Sequence, residues 1–432
     1  MTHTRPPGQP EAATVTVSAV LVWAIAAGTI AAILIRPKKW PEAVWATLGA
    51  MLLVLTGLLN GHKALAAIAK GTDVYLFLTG MMLLAELARR EGVFDWLAAL
   101  AVRAARGSRT RLFGLIYCAG IAVTVFLSND ATAVVLTPAV YAAVKRARVN
   151  TLPYLLICAF IANAASFVLP ISNPANLVVY GRELPPLMPW LRTFLLPSVF
   201  AITATFFCLR LAVRDDLQGS LEDGSEPPRL TGAGRLAAGA IAGSGGILIA
   251  ASWMGLDLGL PTCLAALIAV ALGTRARLRE AGRIAAGVSW SVLPLVAGLF
   301  VLVEGLNEAG ALRNVSDALK WCGVLPRLGG GMTASFGIAA LSNLMNNLPS
   351  GLLAGGAVQA AGVAPYIRDS VLIGVDLGPN LSVTGSLATV LWLLALRREG
   401  ERIGAIEFLR IGAIVMPPAL LASTLAVVLL SR

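Results

Sequence analysis

The stretch Ser128-Asn129-Asp130 has a counterpart in Ser342-Asn343-Leu344-Met345-Asn346-Asn347-Leu348-Pro349, at a similar place in the other half of the chain. Each stretch is followed by an apolar segment that amides, hydroxyls, Gly and Pro interrupt. These segments are Pro170-Ile171-Ser172-Asn173-Pro174-Ala175-Asn176 and Asp376-Leu377-Gly378-Pro379-Asn380-Leu381-Ser382-Val383-Thr384-Gly385-Ser386. Paired interruptions in two membrane repeats point to a binding site near the middle of the bilayer.

The composition is that of a polytopic membrane protein. Of the 432 residues, 57% are hydrophobic and only 13% are charged, and the mean hydropathy is +0.79. The cysteines are scattered without CxxC or metal-ligand spacing, which predicts small apolar packing residues and no metal site. They are Cys118, Cys158, Cys208, Cys263 and Cys322.

Each half contains five apolar windows close to the length of about 20 residues that crosses the hydrocarbon core. In the first half they fall at residues 14–35, 42–59, 71–90, 153–181 and 188–212, and in the second at 234–252, 258–273, 288–309, 364–397 and 404–430. Two further apolar stretches, 109–147 and 326–360, carry the Ser-Asn elements at their centres. We expect these two to enter and leave the membrane on the same side, as re-entrant hairpins.

Because five crossings is an odd number, two sequential copies must be inverted relative to one another. The predicted fold is an all-α polytopic membrane protein, in which each inverted repeat has five transmembrane helices and one re-entrant hairpin. The broken helices 153–181 and 364–397 lie at the midplane. The predicted organisation is a first repeat at residues 1–212, a flexible cytoplasmic linker at 213–233 and a second repeat at 234–432.

The basic residues predict the orientation, since cytoplasmic loops are enriched in Lys and Arg. Most of the 34 Lys and Arg residues fall on the inner side when both termini are placed outside. The first hairpin then opens inward and the second outward, in a cytoplasmic (inner) membrane. Topology accounts for the net charge of +11, so the charge does not indicate nucleic-acid binding.

Four motifs stand out along the chain. They are Trp45-Ala46-Thr47-Leu48-Gly49-Ala50, Ser128-Asn129-Asp130 with Leu136-Thr137-Pro138, Met345-Asn346-Asn347-Leu348-Pro349, and Asp376-Leu377-Gly378-Pro379 with Thr384-Gly385-Ser386-Leu387-Ala388-Thr389-Val390-Leu391-Trp392. Together they resemble the arsenite/antimonite efflux permeases of the ArsB type, within the ion transporter superfamily. Where that family commonly has Ile-Ala-Asp before its first broken helix, this chain has Ile161-Ala162-Asn163, so one candidate proton carrier is absent.

The resemblance implies secondary active efflux of arsenite and antimonite, by proton antiport with alternating access. It also implies a homodimer in the lipid bilayer and an optional association with a separate ArsA-type ATPase. The chain itself has no GxxxxGK[ST] motif, and we expect no cofactor.

Arsenous acid is a small neutral molecule whose three hydroxyl groups both donate and accept hydrogen bonds. A matching site needs amides and hydroxyls, and the tips and breaks supply them without any Cys ligand. The predicted substrate-binding residues are Ser128, Asn129, Asn173, Asn176, Asn343, Asn346, Asn347, Asn380, Ser382 and Thr384. Asn60, Asn150 and Asn163 lie outside these elements, and we assign them no role in the site.

Ionisable residues at membrane depth are functional hypotheses by default. Asp130, at the first tip, and Asp376, at the second break, are the predicted proton carriers. The alternative is that each stays ionised and caps a half-helix. Glu86 and Glu304 occupy matching places near helix ends, where we expect them to be structural partners of basic residues.

Three other functions stay open at this stage. A divalent-anion carrier of the same superfamily would want a cation beside its substrate, and the four polar elements contain no Lys or Arg. A passive metalloid channel would not need the buried carboxylates. An intramembrane enzyme is disfavoured because the only histidines are His3 and His62, and no GxSxG or HExxH motif occurs.

Overall fold

The computed structural model describes residues 17–35, 37–221, 230–275 and 277–431. These residues form helices and no named strand, with one isolated bridge between Ser108 and Ser220. The α-helices of the first half are α1 (Val17–Ile35), α2 (Glu42–Leu55), α3 (Gly61–Lys70), α4 (Thr72–Arg90), α5 (Val93–Ala104), α6 (Arg109–Phe126), α7 (Asn129–Ala131), α8 (Thr137–Arg146), α9 (Leu152–Ala164), α10 (Pro174–Tyr180) and α11 (Leu187–Ala212).

The second half contains α12 (Gly232–Trp253), α13 (Gly259–Gly273), α14 (Leu278–Gly287), α15 (Val292–Glu308), α16 (Ala311–Val324), α17 (Arg327–Met345), α18 (Asn347–Ala361), α19 (Pro365–Leu377), α20 (Leu387–Arg398) and α21 (Ala405–Leu430). A π-helical turn, Thr132–Leu136, joins α7 to α8. Short 3-10 turns lie at Pro37–Lys39, Pro170–Ser172, Gly181–Glu183, Arg214–Leu217 and Gly378–Leu381.

Within the described residues, four helices are long and apolar enough to cross a membrane: α6, α11, α12 and α21. Two bent pairs, α3 with α4 and α14 with α15, also qualify if each pair is one span, and the pairs bend by 47° and 45°. Shorter apolar helices include α2, α9 and α13. The all-helical, strongly apolar fold that the sequence predicts is confirmed, whereas the boundaries of the two repeats and their sidedness stay predictions.

The helices of the two halves follow the same order, and their packing is reciprocal. Helix α4 packs on α13, and its counterpart α15 packs on α2. The two long helices α11 and α21, which close the two halves, pack on each other. Reciprocal contacts of this kind are those of two units related by a two-fold axis, as in an inverted repeat.

Both predicted hairpins are present, and each turns at a polar cap. Helix α6 ends at Phe126, and the Ser128 side chain accepts a hydrogen bond from the Ala131 amide as the chain reverses into α7. Helix α17 ends at Met345, and Asn346 caps α18 by accepting from the Leu348 amide. These caps satisfy amides at the helix starts that have no partner within the helix.

Both predicted broken helices are present as well. Helix α9 ends at Ala164, and the chain runs to Asn173, which caps α10, with only the 3-10 turn Pro170–Ser172 between the two helices. Helix α19 ends at Leu377, and Ser386 caps α20. Helix α21 covers the second break so closely that only Gly fits at position 412, because a Cβ there would clash with the carbonyl oxygens of Asn380 and Leu381.

Two features differ from the sequence expectations. The first part of the linker is packed rather than flexible: Leu217 and Leu221 are buried, and Arg109 donates to the Ser220 and Gln218 carbonyl oxygens. Residues 222–229 of the linker, like the N-terminal tail before residue 17, lie outside the described residues.

The second difference is a set of helices that the predicted crossings did not include. Their apolar residues line one face only, so they form no continuous apolar window. These helices are α3, α5, α14 and α16.

Candidate functional site

The two broken helices interlock through Asp376. Its side chain is fully buried, and the Asn173 amide donates to its Oδ1 at 2.9 Å. The Ser166 Oγ lies 2.8 Å from Asp376 Oδ2 and 2.7 Å from the Asn163 carbonyl oxygen. The carboxyl group of the second break is thus held by an amide and a hydroxyl of the first break.

A reciprocal contact runs from the first break to the second. The Asn163 amide donates to Asn380 Oδ1 at 3.0 Å and to Thr389 Oγ1 at 3.3 Å. Asn380 in turn donates to the Phe160 carbonyl oxygen at 3.1 Å. The Thr389 hydroxyl lies 2.9 Å from the Ser386 hydroxyl. We call Asn163, Ser166, Asn173, Asp376, Asn380 and Thr389 the break network.

Asn176 fixes the irregular backbone between α9 and α10, next to this network. Its amide donates to the backbone carbonyl oxygens of Ser166, Leu169 and Pro170 at 2.9 to 3.3 Å, which holds the irregular segment in place. Its own oxygen is buried and has no hydrogen-bond partner among the described residues, and the same holds for Asn163 Oδ1. Because buried polar atoms are normally paired, these two oxygens, like Asn347 Oδ1 at the second tip, are acceptors still available to a hydrogen-bond donor.

The second hairpin tip forms another polar cluster with the second break. The Ser382 hydroxyl donates to Asn343 Oδ1 at 2.6 Å and lies 3.0 Å from the Thr384 hydroxyl. The Asn346 side chain donates to the Thr384 carbonyl oxygen at 3.3 Å, and the backbone N–H of Asn347 donates to the Gly385 carbonyl oxygen at 2.8 Å. Asn343, Asn346, Ser382 and Thr384 are half-buried, unlike the break network.

The backbone of Asn346 is strained at this tip. Its φ of 76° and ψ of 152° lie in a region that residues other than Gly rarely adopt. Such a conformation costs on the order of 1–3 kcal/mol and persists only where the surroundings impose it. The contacts of the tip, rather than the local preference of an Asn residue, therefore hold this conformation.

The first hairpin tip stands apart from the break network. Ser128 and Asn129 make local caps with the amides of Ala131 and Asp130. The Asp130 carboxylate is half-buried and has no hydrogen bond or ion pair with any described residue. It lines a cavity of about 70 Å³, together with Glu86, Ser128 and Ser289. This is well above the ~10–15 Å³ that one water needs.

The residue-by-residue correspondence between the two hairpins differs from the one that the Ser-Asn pattern suggests. Thr124 and Thr132 bring their hydroxyls to 2.8 Å across the first hairpin, and Ser342 and Ser350 do so at 2.7 Å across the second, with the same spacing of eight residues. Ser342 therefore corresponds to Thr124. The counterpart of the Ser128 cap is Asn346, so Asp130 corresponds to Leu348.

The carboxylates of Glu86 and Glu304 lie in ion pairs at helix ends. Glu86 pairs with Arg89 and Arg90 in its own helix, and Glu304 pairs with Lys70 at 3.0 Å. No Lys or Arg of the described residues hydrogen-bonds to the tips or to the break network. The polar side chains of the tips and of the break network are thus neutral, apart from Asp130 and Asp376.

The cysteines lie away from these clusters. Cys158 is in α9, buried, and its thiol contacts the Tyr154 carbonyl oxygen. Cys118 is exposed on α6, and Cys322 is buried in α16. Among the described residues, no group of His, Cys, Asp and Glu has the geometry to hold a metal ion.

Sequence reasoning left out three members of the break network, Asn163, Ser166 and Thr389. Asn163 was set aside as lying outside the polar elements, although it occupies the place where the resembled family has a carboxylate. That departure from Ile-Ala-Asp was the signal that could have identified it. Ser166 and Thr389 carried no such signal.

Comparison with known proteins finds transporters that match most of the chain. The profile of CitMHS, described as a citrate transporter, matches residues 20–396. The arsenical pump membrane protein of Escherichia coli K12 is 26% identical over 437 residues, which cover 95% of this chain and 98% of that protein. The protein of the same name from Yersinia enterocolitica is 28% identical and covers 81% of this chain and 84% of its own length. The resemblance that the motifs indicate is confirmed.

A solved structure supports the fold. The crystal structure of the YdaH transporter from Alcanivorax borkumensis, described as having an unusual topology, superposes with a TM-score of 0.57. The superposition covers 96% of this chain and 98% of that one, at 13% sequence identity. At this identity the likeness concerns the fold alone.

Proposed function

The chain belongs to the CitMHS family of transporters, and from this premise we propose that it exports trivalent arsenic and antimony as neutral hydroxides, driven by inward proton flow. The arsenical pump membrane proteins to which it is similar along nearly their full length support this substrate. The observation that carries the proposal is the break network, in which two interrupted helices surround one carboxyl group with neutral amides and hydroxyls.

The unpaired oxygens favour a substrate that donates hydrogen bonds. The Asn163 and Asn176 amide nitrogens already donate, to Asn380 and to backbone carbonyls, so the unpaired atoms are the acceptor oxygens. A metalloid hydroxide brings O–H donors to such oxygens, whereas a fully ionised carboxylate has none. The half-buried hydroxyls of Ser382 and Thr384 offer further donors and acceptors toward the second tip.

The distances around Ser166 favour a proton on Asp376. A serine hydroxyl has one proton to donate, yet Ser166 Oγ contacts both the Asn163 carbonyl oxygen and Asp376 Oδ2. When Asp376 is protonated, it donates to Ser166, and Ser166 donates to the carbonyl, so both contacts are hydrogen bonds. When Asp376 is ionised, one contact must bring two oxygens together without a proton between them. Loss of the proton therefore favours a different arrangement of the breaks.

The cavities support alternating access. The cavity beside Asp130 is lined by Phe77 and Met81 of α4. A smaller cavity of about 20 Å³ is lined by the corresponding Leu295 and Leu299 of α15 and by Asn346 of the second tip. The two cavities occupy equivalent places in the two halves and differ in size, as expected of a carrier that opens them in turn.

The energetics are sufficient for concentrative export. A proton moving through about 100 mV contributes about 2.3 kcal/mol, and one pH unit adds about 1.4 kcal/mol. One proton per neutral substrate then sustains roughly a few-hundred-fold gradient.

Several finer points rest on the resemblance. We propose an inner-membrane location with both termini outside, a homodimer, and an optional partnership with an ArsA-type ATPase. Labelling of the termini from either side of the membrane tests the first point. Particle size in lipid discs tests the second, and co-purification tests the third.

The substrate is tested by expression in cells that lack their own arsenic exporter. We expect resistance to arsenite and antimonite but not to arsenate, which is an anion at neutral pH. Equal protection against arsenate in a host without arsenate reductase would contradict the neutral-hydroxide site.

A second candidate is a carrier of carboxylate anions, which the description of the matched family favours. It lacks support in the break network, to which no Lys or Arg of the described residues donates a hydrogen bond. This alternative would be established if vesicles that contain the protein took up radiolabelled citrate or succinate but did not transport arsenite.

A further inference from the structure

A buried polar cluster outside the site joins the same two half-helices at their other ends. The Tyr180 hydroxyl, at the end of α10, donates to Asp369 Oδ1 at 2.8 Å in the first part of α19. Both residues are buried, with 2% and 3% of their surface exposed. Asp369 also accepts from Arg368 at 3.2 Å and from Ser431 at 3.1 Å.

The spacing relates this cluster to the proton site. Asn173 and Tyr180 stand at the two ends of α10, and Asp376 and Asp369 are equally far apart on α19. The separation is about two helical turns, or on the order of 10 Å, which places both side chains of each helix on one face. Helices α10 and α19 are therefore joined by one hydrogen bond at each end of α10, between Asn173 and Asp376 and between Tyr180 and Asp369.

We propose that Tyr180 and Asp369 are positioning residues that anchor the C-terminal end of α10 to α19, and so hold Asn173 against Asp376. This inference rests on the proposed function only for its consequence in transport. A helix of seven residues is too short to be stable alone, so the place of its N-terminal cap depends on the contacts that hold the rest of the helix. These are the contact of Tyr180 with Asp369 and the close packing of α10 on α18, where Val179 lies against Gly355. Tyr180 is also packed against Trp190 and Phe194.

The test substitution is Tyr180→Phe, which removes the hydroxyl and keeps the ring contacts. Ser431→Ala is the matched control on the same carboxylate, since it removes one donor to Asp369 without touching α10. Tyr117→Phe is the second control, because it removes a tyrosine hydroxyl that bonds the Ile202 carbonyl oxygen between α6 and α11.

The first readout is hydrogen exchange of the full-length protein in lipid discs, without substrate. We expect Tyr180→Phe to accelerate exchange severalfold along all of α10 and at the 165–173 break, and both controls to leave these segments unchanged. Faster exchange only next to residue 180, no change at all, or the same pattern in Ser431→Ala would overturn the proposal.

The second readout is arsenite transport in a double-mutant cycle. If Tyr180 acts through the Asn173 contact, Tyr180→Phe lowers the proton-driven accumulation ratio severalfold in the wild-type background and has no further effect in Asn173→Ala. Additive losses would contradict the positioning role. A wild-type protein that moves no arsenite would contradict the proposed function instead, and the exchange experiment would still decide the inference.

Discussion

Asp376 and Asp130 were indistinguishable as proton carriers in the sequence, but their surroundings differ. Asp376 is fully buried and held by Asn173 and Ser166, whereas Asp130 faces a cavity without a partner among the described residues. The hydrogen-bond pattern at Asp376 changes with its proton. Asp376 is therefore the residue at which we expect the coupled proton to bind.

Asp376→Asn tests this assignment. An amide at this position accepts from Asn173 and donates to Ser166, so it imitates the protonated acid and leaves the network intact. We expect normal amounts of folded protein, but an accumulation ratio that falls from the limit of roughly a few hundred to about one. Vesicle uptake under an imposed pH gradient measures the ratio.

Asp130→Asn is the comparison. Because Asp130 lies at the cavity and outside the break network, we expect this change to slow uptake and to leave the final accumulation ratio near that of the wild type. The reverse result, with accumulation lost in Asp130→Asn and kept in Asp376→Asn, would move the proton site to the first tip.

The cysteines provide a separate test at the residue scale. All five lie outside the tips and the break network, so a Cys-free protein should keep at least about half of its arsenite transport. Ala is the better replacement at the buried Cys158 and Cys322, because an unpaired buried hydroxyl destabilises a protein by about 1–3 kcal/mol. If a folded Cys-free variant had no transport, a thiolate would be a substrate ligand.

At the scale of elements, the second break depends on the close approach of α21. In Gly412→Ala, the new methyl group would push against the Asn380 and Leu381 carbonyl oxygens and displace Asn380 from Asn163. We expect transport to fall at least about tenfold, a change of about 1.4 kcal/mol. Gly239→Ala in α12 is the control, since a Cβ there meets open space and stabilises a helix by about 0.5–1 kcal/mol. Equal activity of the two variants would show that the break tolerates displacement.

The hairpins and broken helices were predictable because their signals are local. Apolar windows set the helices, and Pro, Gly and capping amides mark where they stop, as at Asn173 and Ser386. The one-sided helices such as α5 escaped because a search for continuous apolar windows does not detect a helix with a single apolar face.

At the scale of the whole molecule, the site itself could be predicted only in part. The amides at the tips and breaks stand out in the sequence, but their partners do not. Ser166 meets Asp376 across 210 residues of chain, and Asn163 meets Asn380 across 217. Such pairs arise from the packing of one half on the other, and a single sequence contains no record of that register. The Ser-Asn pattern alone pairs Asn343 with Asn129, whereas the packing of the two hairpins makes Asn347 the counterpart of Asn129.

The central claim is that a proton gradient drives a neutral metalloid hydroxide across the membrane through this chain. The most direct measurement is arsenite uptake by everted vesicles, with the pH gradient imposed and then collapsed by an ionophore. We predict accumulation against the arsenite gradient while the vesicle interior is acidic, and rapid loss of the accumulated arsenite on collapse. Equilibration of arsenite to equal concentrations on both sides, with no response to the pH gradient, would contradict the account and indicate a passive channel.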